Sequence, residues 1–367
     1  LNSVEACEEL ETPWQAELKD IRDLLQATAL VGTAPERTRD LVAGCGELWS
    51  ARLLSALLAQ EAANDAQQRT VRWVDARELI IVEHGELGPA VDWSSSKANA
   101  AQLFAGVAPE IVVVTGFICS DKNGMHTVLG RNGSDFSASI LGSILNAQSI
   151  AIWTDVDGVM SADPNRVPDA TIIHELSYNE AMELAYFGAK VIHPQTMSPA
   201  VELEIPIFIK NTFKPEASGS KISADPQGNL SIKGLTTVSD VVLINLEGTG
   251  MIGVPGTADR LFGALREAQI SVILISQASS EHSICFAVPA VMADAAETVV
   301  CQAFEVELEQ NQIQSIELRH GCSVIAVVGD GMAGIPGIAS RFFSALGNAG
   351  ISVNAIAQGS SERNISA

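Results

Sequence analysis

The stretch from Val128 to Pro164, VLGRNGSDFSASILGSILNAQSIAIWTDVDGVMSADP, constrains the fold of this chain more than any other. A short strand ends at Leu129. The turn Gly130-Arg131-Asn132-Gly133 then leads to Ser134 and Asp135, residue types that cap helix N-termini. Phe136, Ile140 and Ile144, with Leu141 and Leu145 beside them, recur at helical spacing. A second strand, Ile150 to Trp153, runs straight into Thr154-Asp155-Val156-Asp157-Gly158. Strand, turn, helix, strand is the order of an α/β sheet, which binds ligands beyond the carboxyl ends of its strands. N–H groups of the turn and of the helix start favour an anion there, and Arg131 adds a full positive charge. Taken alone, the same residues also fit a glycine turn before an ordinary surface helix.

A chain of 367 residues has room for two or three domains, and 47% hydrophobic residues supply real cores. No run approaches the uninterrupted apolar length of a membrane span, and no signal peptide opens the chain, so a soluble protein without a membrane role is expected. A net charge of −22 argues against a nucleic-acid partner, because neutralising phosphates requires clustered Lys and Arg. Cys7, Cys45, Cys119, Cys285, Cys301 and Cys322 are scattered without a CxxC pair, and the histidines form no metal-binding spacing. They read as reduced, mostly buried thiols of an intracellular protein, with no metal site built by the chain itself.

Residues 5 to 30 read as a charged helix with Leu10, Leu18, Ile21, Leu24 and Leu25 on its apolar side. A second helix is expected after Gly44-Cys45-Gly46-Glu47, burying Leu48, Leu53, Leu54, Leu57 and Leu58. Val71–Val74 reads as a strand and Ile111–Val114 as a central, fully buried one. His84 to Lys97 looks like an inserted loop, and Lys214 to Gly228, dense in Pro, Ser and Gly, like a linker. Up to about Thr212 helices alternate with mostly parallel strands, the α/β pattern.

Beyond the linker the chain repeats itself. GTGMIGVPGTADRLFGALREAQISVILISQASSEHSI begins at Gly248, and GDGMAGIPGIASRFFSALGNAGISVNAIAQGSSERNI begins at Gly329, an offset of 81 (329 − 248). Each copy reads strand, Gly/Pro turn, amphipathic helix, strand, so the C-terminal part is a duplicated small α/β unit. After the last strand each copy carries a glutamine, Gln277 and Gln358, followed by Ser-Ser-Glu. A buried amide can bond both the amino group and the carboxylate of a small amino acid. Structural duplication without a ligand is the other reading.

GRNGSD, IWTDVDGV, SADP and AYFGAKVIHPQT (Ala185 to Thr196), in this order, resemble aspartate kinases of the amino-acid kinase family. The resemblance extends upstream to GCGELWSA and VVVTGFI, and downstream through IPIFIKNT nearly to the end of the chain. The wording is most similar to the threonine-sensitive kinases that form the front half of a fusion with homoserine dehydrogenase. The repeated units resemble ACT domains, which pair their sheets and bind a small amino acid. The resemblance implies an amino-acid kinase fold, a mostly parallel sheet between helices, over residues 1–213. A linker (214–232) and tandem ACT units of ferredoxin-like α+β fold (233–310 and 311–367) would follow. It implies a cytoplasmic enzyme, or a plastid one in a plant or alga, that assembles as a homo-oligomer through its ACT units.

The implied reaction moves the γ-phosphoryl of ATP, with Mg²⁺, to the β-carboxylate of L-aspartate. Such catalysis is mainly positioning and charge stabilisation. Arg131 suits a bidentate clamp on a substrate carboxylate. Glu47 matches the residue that holds the substrate ammonium; its other reading is a complement to the helix dipole in a first turn. Phe117 and Ser134 match further positions around aspartate, and Asp135 is either a helix cap or a Mg²⁺-linked group. Thr154 and Asp155 match the ribose and purine contacts of the nucleotide, Gly158 the adjoining turn, and Lys190 a lysine that approaches the nucleotide. Ile275, Gln277 and Gln358 would take the effector, threonine before lysine. Three departures stand out. The opening strand with its Lys-Phe-Gly-Gly motif is absent, Met160 replaces the usual adenine-side tyrosine, and in Asp163-Pro164-Asn165-Arg166 the phosphate-side arginine is either lost or displaced by one residue. A truncated kinase fits these departures, and so does a non-catalytic amino-acid sensor on a degenerate kinase scaffold.

Overall fold

The computed structural model describes residues 4–64, 69–85, 88–106, 110–186, 193–228 and 230–367. In chain order the elements are α1 (Val4–Val31), α2 (Glu36–Asn64), β1 (Val71–Val74), β2 (Ile81–Gly85), β3 (Gly88–Val91), α3 (Trp93–Leu103), β4 (Ile111–Val114), β5 (Ile118–Asp121), β6 (His126–Val128), α4 (Gly133–Ile144) and β7 (Ile150–Thr154). These are followed by β8 (Glu175–Ser177), α5 (Tyr178–Tyr186), α6 (Pro194–Glu202), β9 (Ile207–Asn211) and β10 (Ser220–Ser223). The C-terminal part adds β11 (Gly234–Glu247), α7 (Thr257–Glu267), β12 (Leu274–Gln277), β13 (Ser283–Pro289), α8 (Ala293–Ala303), α9 (Glu305–Glu309), β14 (Ser315–Val328), α10 (Ile338–Asn348), β15 (Ala357–Gln358) and β16 (Asn364–Ser366). Two compact units divide the chain: residues 1–152 with 192–208, and residues 153–191 with 209–367.

In the first unit α1 and α2 pack as a hairpin, with Trp14 edge-on to Trp49 and Glu17 accepting from Trp49 Nε1 at 2.6 Å. The core joins Leu48 of α2, Leu79, Ile80 and Val82 around β2, Ile118 of β5 and Ile140 of α4. β1 pairs parallel to β4, and β3-β2-β5-β6 form a second sheet. Several expectations are corrected here. α2 begins eleven residues before Glu47 (47 − 36), so Gly44-Cys45-Gly46-Glu47 lies inside the helix and not before it. Its buried face is Gly44, Cys45, Leu48, Ser55 and Ala62, while Leu53, Leu54 and Leu57 are exposed. In α1, Leu25 is likewise exposed. Ile111–Val114 is half-buried throughout, because among the described residues β4 has only β1 beside it. The described residues of His84 to Lys97 do not form a loop: they belong to the antiparallel pair of β2 and β3 and to the start of α3. β6 and β7, expected as neighbouring elements of one sheet, belong to different ones.

In the second unit a six-stranded sheet runs β12-β13-β11-β14-β16-β15. α7 and α8 cover one face through Val242, Ile244, Leu246, Leu261, Leu265, Phe286 and Val300, the alternate residues of β11 that point one way meeting the apolar stripe of each helix. The two repeats share the long strands. Val241–Glu247 of β11 pairs with Ser315–Cys322 of β14, whereas Gly234–Val238 pairs with Val324–Val328. The register shifts between Val238 and Leu243, where Asp240 takes φ 56° and Gly321 of the facing strand φ 70°. The N-terminal half of β11 thus serves as the fourth strand of the second repeat, and the N-terminal half of β14 as that of the first. Matching this exchange, Gly248 and Gly250 fit closely against Gln312 and Ile313, and Gly329 and Gly331 against Leu230, Ser231 and Ile232. The segment read as a linker contains β10, which pairs parallel to β8.

Candidate functional site

Phe117 lies in the turn between β4 and β5 with φ 71°, a left-handed conformation that is costly for a bulky residue. Its N–H donates to Ser137 Oγ at 2.9 Å, and Ser137 Oγ donates to Gly133 O at 2.9 Å. The ring lies against Gly133, where a Cβ would come within 2.6 Å of Phe117 Cδ2. A Cβ on Gly116 would stand 3.4 Å from Ser134. The glycine at 133 is therefore demanded by the aromatic ring, and the strain at Phe117 is held by the first turn of α4.

That first turn differs from its expected form. Asn132, with φ 53°, is the N-cap and makes no side-chain cap bond, so Ser134 and Asp135 sit inside α4 as non-capping residues. The cap reading of Asp135 falls away. Its carboxyl is half-buried, and burial pushes its pKa above the usual carboxylate range. Arg131 is exposed one residue before the cap, and no ion pair holds it among the described residues. An uncapped helix start and an unpaired guanidinium together suit an anionic ligand.

Glu47 stands in mid-helix, which removes its helix-dipole reading. One turn earlier, a Cβ on Gly44 would lie 2.7 Å from both His126 Cε1 and Ile118 Cγ2. Glycine there lets α2 seat directly on β5 and β6, beside the residue that follows Phe117. Glu47, Phe117, Arg131, Ser134 and Asp135 all belong to the first unit.

Thr154, Asp155, Gly158, Met160 and Arg166 belong to the second. Thr154 closes β7 and donates to Asp155 Oδ1 at 3.2 Å. Asp157 is the anchor of this loop: it accepts from Lys214 Nζ at 2.7 Å and Asn211 Nδ2 at 2.6 Å, and these partners hold its carboxyl below the usual range. Gly158, at φ 145°, is buried over Ser220, whose Oγ would lie 2.6 Å from an added Cβ and accepts from Val159 N–H at 2.9 Å. Met160 forms an isolated bridge with Ile172. The Arg166 guanidinium is engaged by Ser239 and, at 3.7 Å, by Asp163. Lys190 lies outside the described residues. The sequence reading did not single out Asp157, Asn211 or Lys214, although Asp157 lies in TDVDG and Asn211 in IKNT.

Gln277 and Gln358 are exposed at the ends of β12 and β15, not buried; Ile275, also exposed, shares a side of β12 with Gln277. Gln277 lines a cleft of about 280 Å³ with Gly253, Pro255, Gly256 and Thr257 at the start of α7. The glutamate of each Ser-Ser-Glu closes the turn opposite: Glu281 accepts from Gly253 N–H at 3.0 Å, and Glu362 from Gly334 N–H at 2.7 Å. Among the described residues no group of three or more His, Cys, Asp or Glu could hold a metal ion. α2 is long and apolar enough to cross a membrane by length and composition alone, yet Cys45 and Leu48 are buried in the first unit.

The sequence profile of the amino acid kinase family matches residues 10–211, and that of the ACT domain matches residues 244–304 and 325–367. A bifunctional aspartokinase/homoserine dehydrogenase 1, chloroplastic, of Zea mays is 42% identical over 95% of this chain, which spans 38% of that protein's length. An aspartokinase of Schizosaccharomyces pombe is 30% identical over 98% of this chain and 71% of its own. Two crystal structures of E. coli aspartokinase III are similar at 28% identity and TM-score 0.76. One, in complex with lysine and aspartate, covers 98% of this chain and 77% of its own; the other, with aspartate and ADP, covers 97% and 77%. The fold is that of an amino-acid kinase followed by ACT units, as the motifs implied.

Proposed function

This chain belongs to the amino acid kinase family, and from that membership we propose that it is the aspartate kinase part of a longer, feedback-controlled enzyme. It transfers the γ-phosphoryl of ATP to the β-carboxylate of L-aspartate, giving 4-phospho-L-aspartate. The observation that carries the reading is Arg131, exposed and without an ion pair among the described residues, at the uncapped start of α4, which packs against the strained Phe117. Arg131 clamps a carboxylate of aspartate by its planar fork, Glu47 takes the ammonium, and Phe117 and Ser134 shape the wall. Asp135 orders the charges around the transferred group. Thr154, Asp155 and the Asp157–Asn211–Lys214 cluster shape the nucleotide side, with Met160 against the base. Arg166 and Lys190 take phosphate-side roles by their place in the motifs.

Mg²⁺ fits as the nucleotide's own ion, since it binds through substrate phosphates and a few carboxylates and needs no protein cage. It neutralises charge on the phosphates; the half-buried Asp135 is the group of this chain that would meet it. ADP and aspartate in one E. coli neighbour, and lysine and aspartate in the other, support this choice of ligands. The cleft at Gln277, and the matching residue Gln358 of the second repeat, take an amino-acid effector, threonine before lysine, and the ACT units join copies of the chain into a homodimer or larger assembly.

Arg131→Ala tests the reading. Losing a bidentate charged contact costs several kcal/mol, about a hundredfold or more in rate. A hydroxamate assay for aspartyl phosphate should fall accordingly while circular dichroism stays that of the folded protein. Near-normal turnover in folded Arg131→Ala sinks the assignment.

A further inference from the structure

We propose that α5 is the element through which both repeats act on the kinase half, with Glu180, Glu183 and Tyr186 as its positioning residues. This rests on the feedback-controlled kinase reading above. α5 opens with a capping box: Ser177 Oγ accepts from Glu180 N–H at 3.0 Å, and Glu180 Oε2 accepts from Ser177 N–H at 2.9 Å. Glu180 is only 1% exposed, so its other oxygen also requires a partner. Oε1 accepts from Asp330 N–H at 2.9 Å, in the turn that opens the second repeat's helix, and the Asp330 carboxylate pairs with Arg363 at 3.0 Å. One turn on, Glu183 accepts from Asn364 Nδ2 at 2.7 Å. Asn364 opens β16, which pairs with β15 through Gln358 and Ile365.

At the far end of α5 the Tyr186 hydroxyl donates to the carbonyls of Val272 at 3.2 Å and Ile273 at 3.4 Å. Those carbonyls lead directly into β12, which carries Ile275 and Gln277. Positions 180, 183 and 186 fall on one side of this nine-residue helix. That side therefore touches both repeats, each within a few residues of the glutamine expected to meet an effector.

The other end of the route is equally specific. α5 continues β8, which pairs with β10 through Leu176 and Ile222. β10 presents Ser220, on which Gly158 is seated and to which Val159 N–H donates. A shift of β12 or β16 thus has a path of packed and hydrogen-bonded groups to the Thr154–Gly158 loop, all inside the second unit. Effector binding controls turnover only by favouring one of two arrangements of such an element. Glu180 is held by backbone N–H groups from its own helix start and from the second repeat, so its environment changes if the repeat moves.

The experiment uses the full-length enzyme and three variants. Tyr186→Phe removes only the hydroxyl of an exposed side chain and Glu183→Ala one carboxylate of a half-buried one, so folding is retained; Glu183→Gln keeps an acceptor oxygen. Uninhibited kcat and KM should stay within about twofold of the parent in all three. In Tyr186→Phe and Glu183→Ala the threonine concentration for half inhibition should rise at least tenfold. The calorimetric affinity for threonine should change less than threefold, and Glu183→Gln should restore inhibition. Hydrogen exchange of the α5 amides, read without turnover, should change at least fivefold on threonine addition in the parent and not in Tyr186→Phe. Parent-like inhibition in both variants, or α5 exchange indifferent to bound threonine, overturns the proposal and leaves the kinase reading standing. No heat with threonine in the parent overturns the effector reading, and this proposal with it. Absence of aspartyl phosphate formation in the parent overturns the kinase reading.

Discussion

Gly44 and Gly46 are two glycines of one helix whose replacement by alanine should have opposite effects. Alanine is favoured over glycine in a helix interior by about 1 kcal/mol. At Gly46 an added Cβ meets nothing within 4 Å, so Gly46→Ala should gain about 0.5–1 kcal/mol and raise the melting temperature by about 1–4 °C. At Gly44 the same Cβ would sit 2.7 Å from Ile118 Cγ2 and from His126 Cε1, and Ile118 is fully buried. Relief requires lifting α2 off β5 and β6, an overpacking cost of about 1–3 kcal/mol. The net effect of Gly44→Ala is a loss of up to about 2 kcal/mol, leaving it about 1–3 kcal/mol below Gly46→Ala. Since Glu47 rides on the lifted segment, the KM for aspartate should rise in Gly44→Ala and stay unchanged in Gly46→Ala. Parallel urea melts and hydroxamate kinetics read both effects. A Gly44→Ala protein as stable as Gly46→Ala, with parent-like KM, would refute the close seating of α2.

Gly158→Ala combines a left-handed backbone with a Cβ 2.6 Å from Ser220 Oγ, and should cost about 2–4 kcal/mol in urea melts and weaken nucleotide binding. Burial pushes the Cys119 thiol up to about 12, with Asp40 adding to it. The unfolded thiol ionises first on raising pH, so this group lowers stability progressively from its unfolded pKa upward, with no effect below pH 8; native Cys119 should resist alkylation at pH 8 and react once urea unfolds the chain. Glu281→Ala and Glu362→Ala each free a turn N–H, and each should raise the half-inhibitory threonine concentration by about fivefold, the equivalent of one hydrogen bond, with uninhibited turnover unchanged.

Short-range pattern sufficed for many of the elements and for the family. β1, β7, α1 and the repeated strand–turn–helix–strand units lie where periodicity puts them, because each is set by which side chains face one way along a few turns or a few residues of strand. The order of the motifs likewise named the family. What periodicity could not see were distances between elements. The glycines before Glu47 read as a helix boundary, whereas Gly44 is inside α2 because Ile118 and His126 need its missing side chain. Ser134 and Asp135 read as caps, but the left-handed Asn132 takes the N-cap position two residues before Ser134. Asp157, Asn211 and Lys214 form one cluster although 54 and 57 residues separate the partners. Only the tertiary structure could decide that β11 and β14 each serve both repeats, since strand exchange leaves every local pattern unchanged and alters only which distant strand completes the ladder.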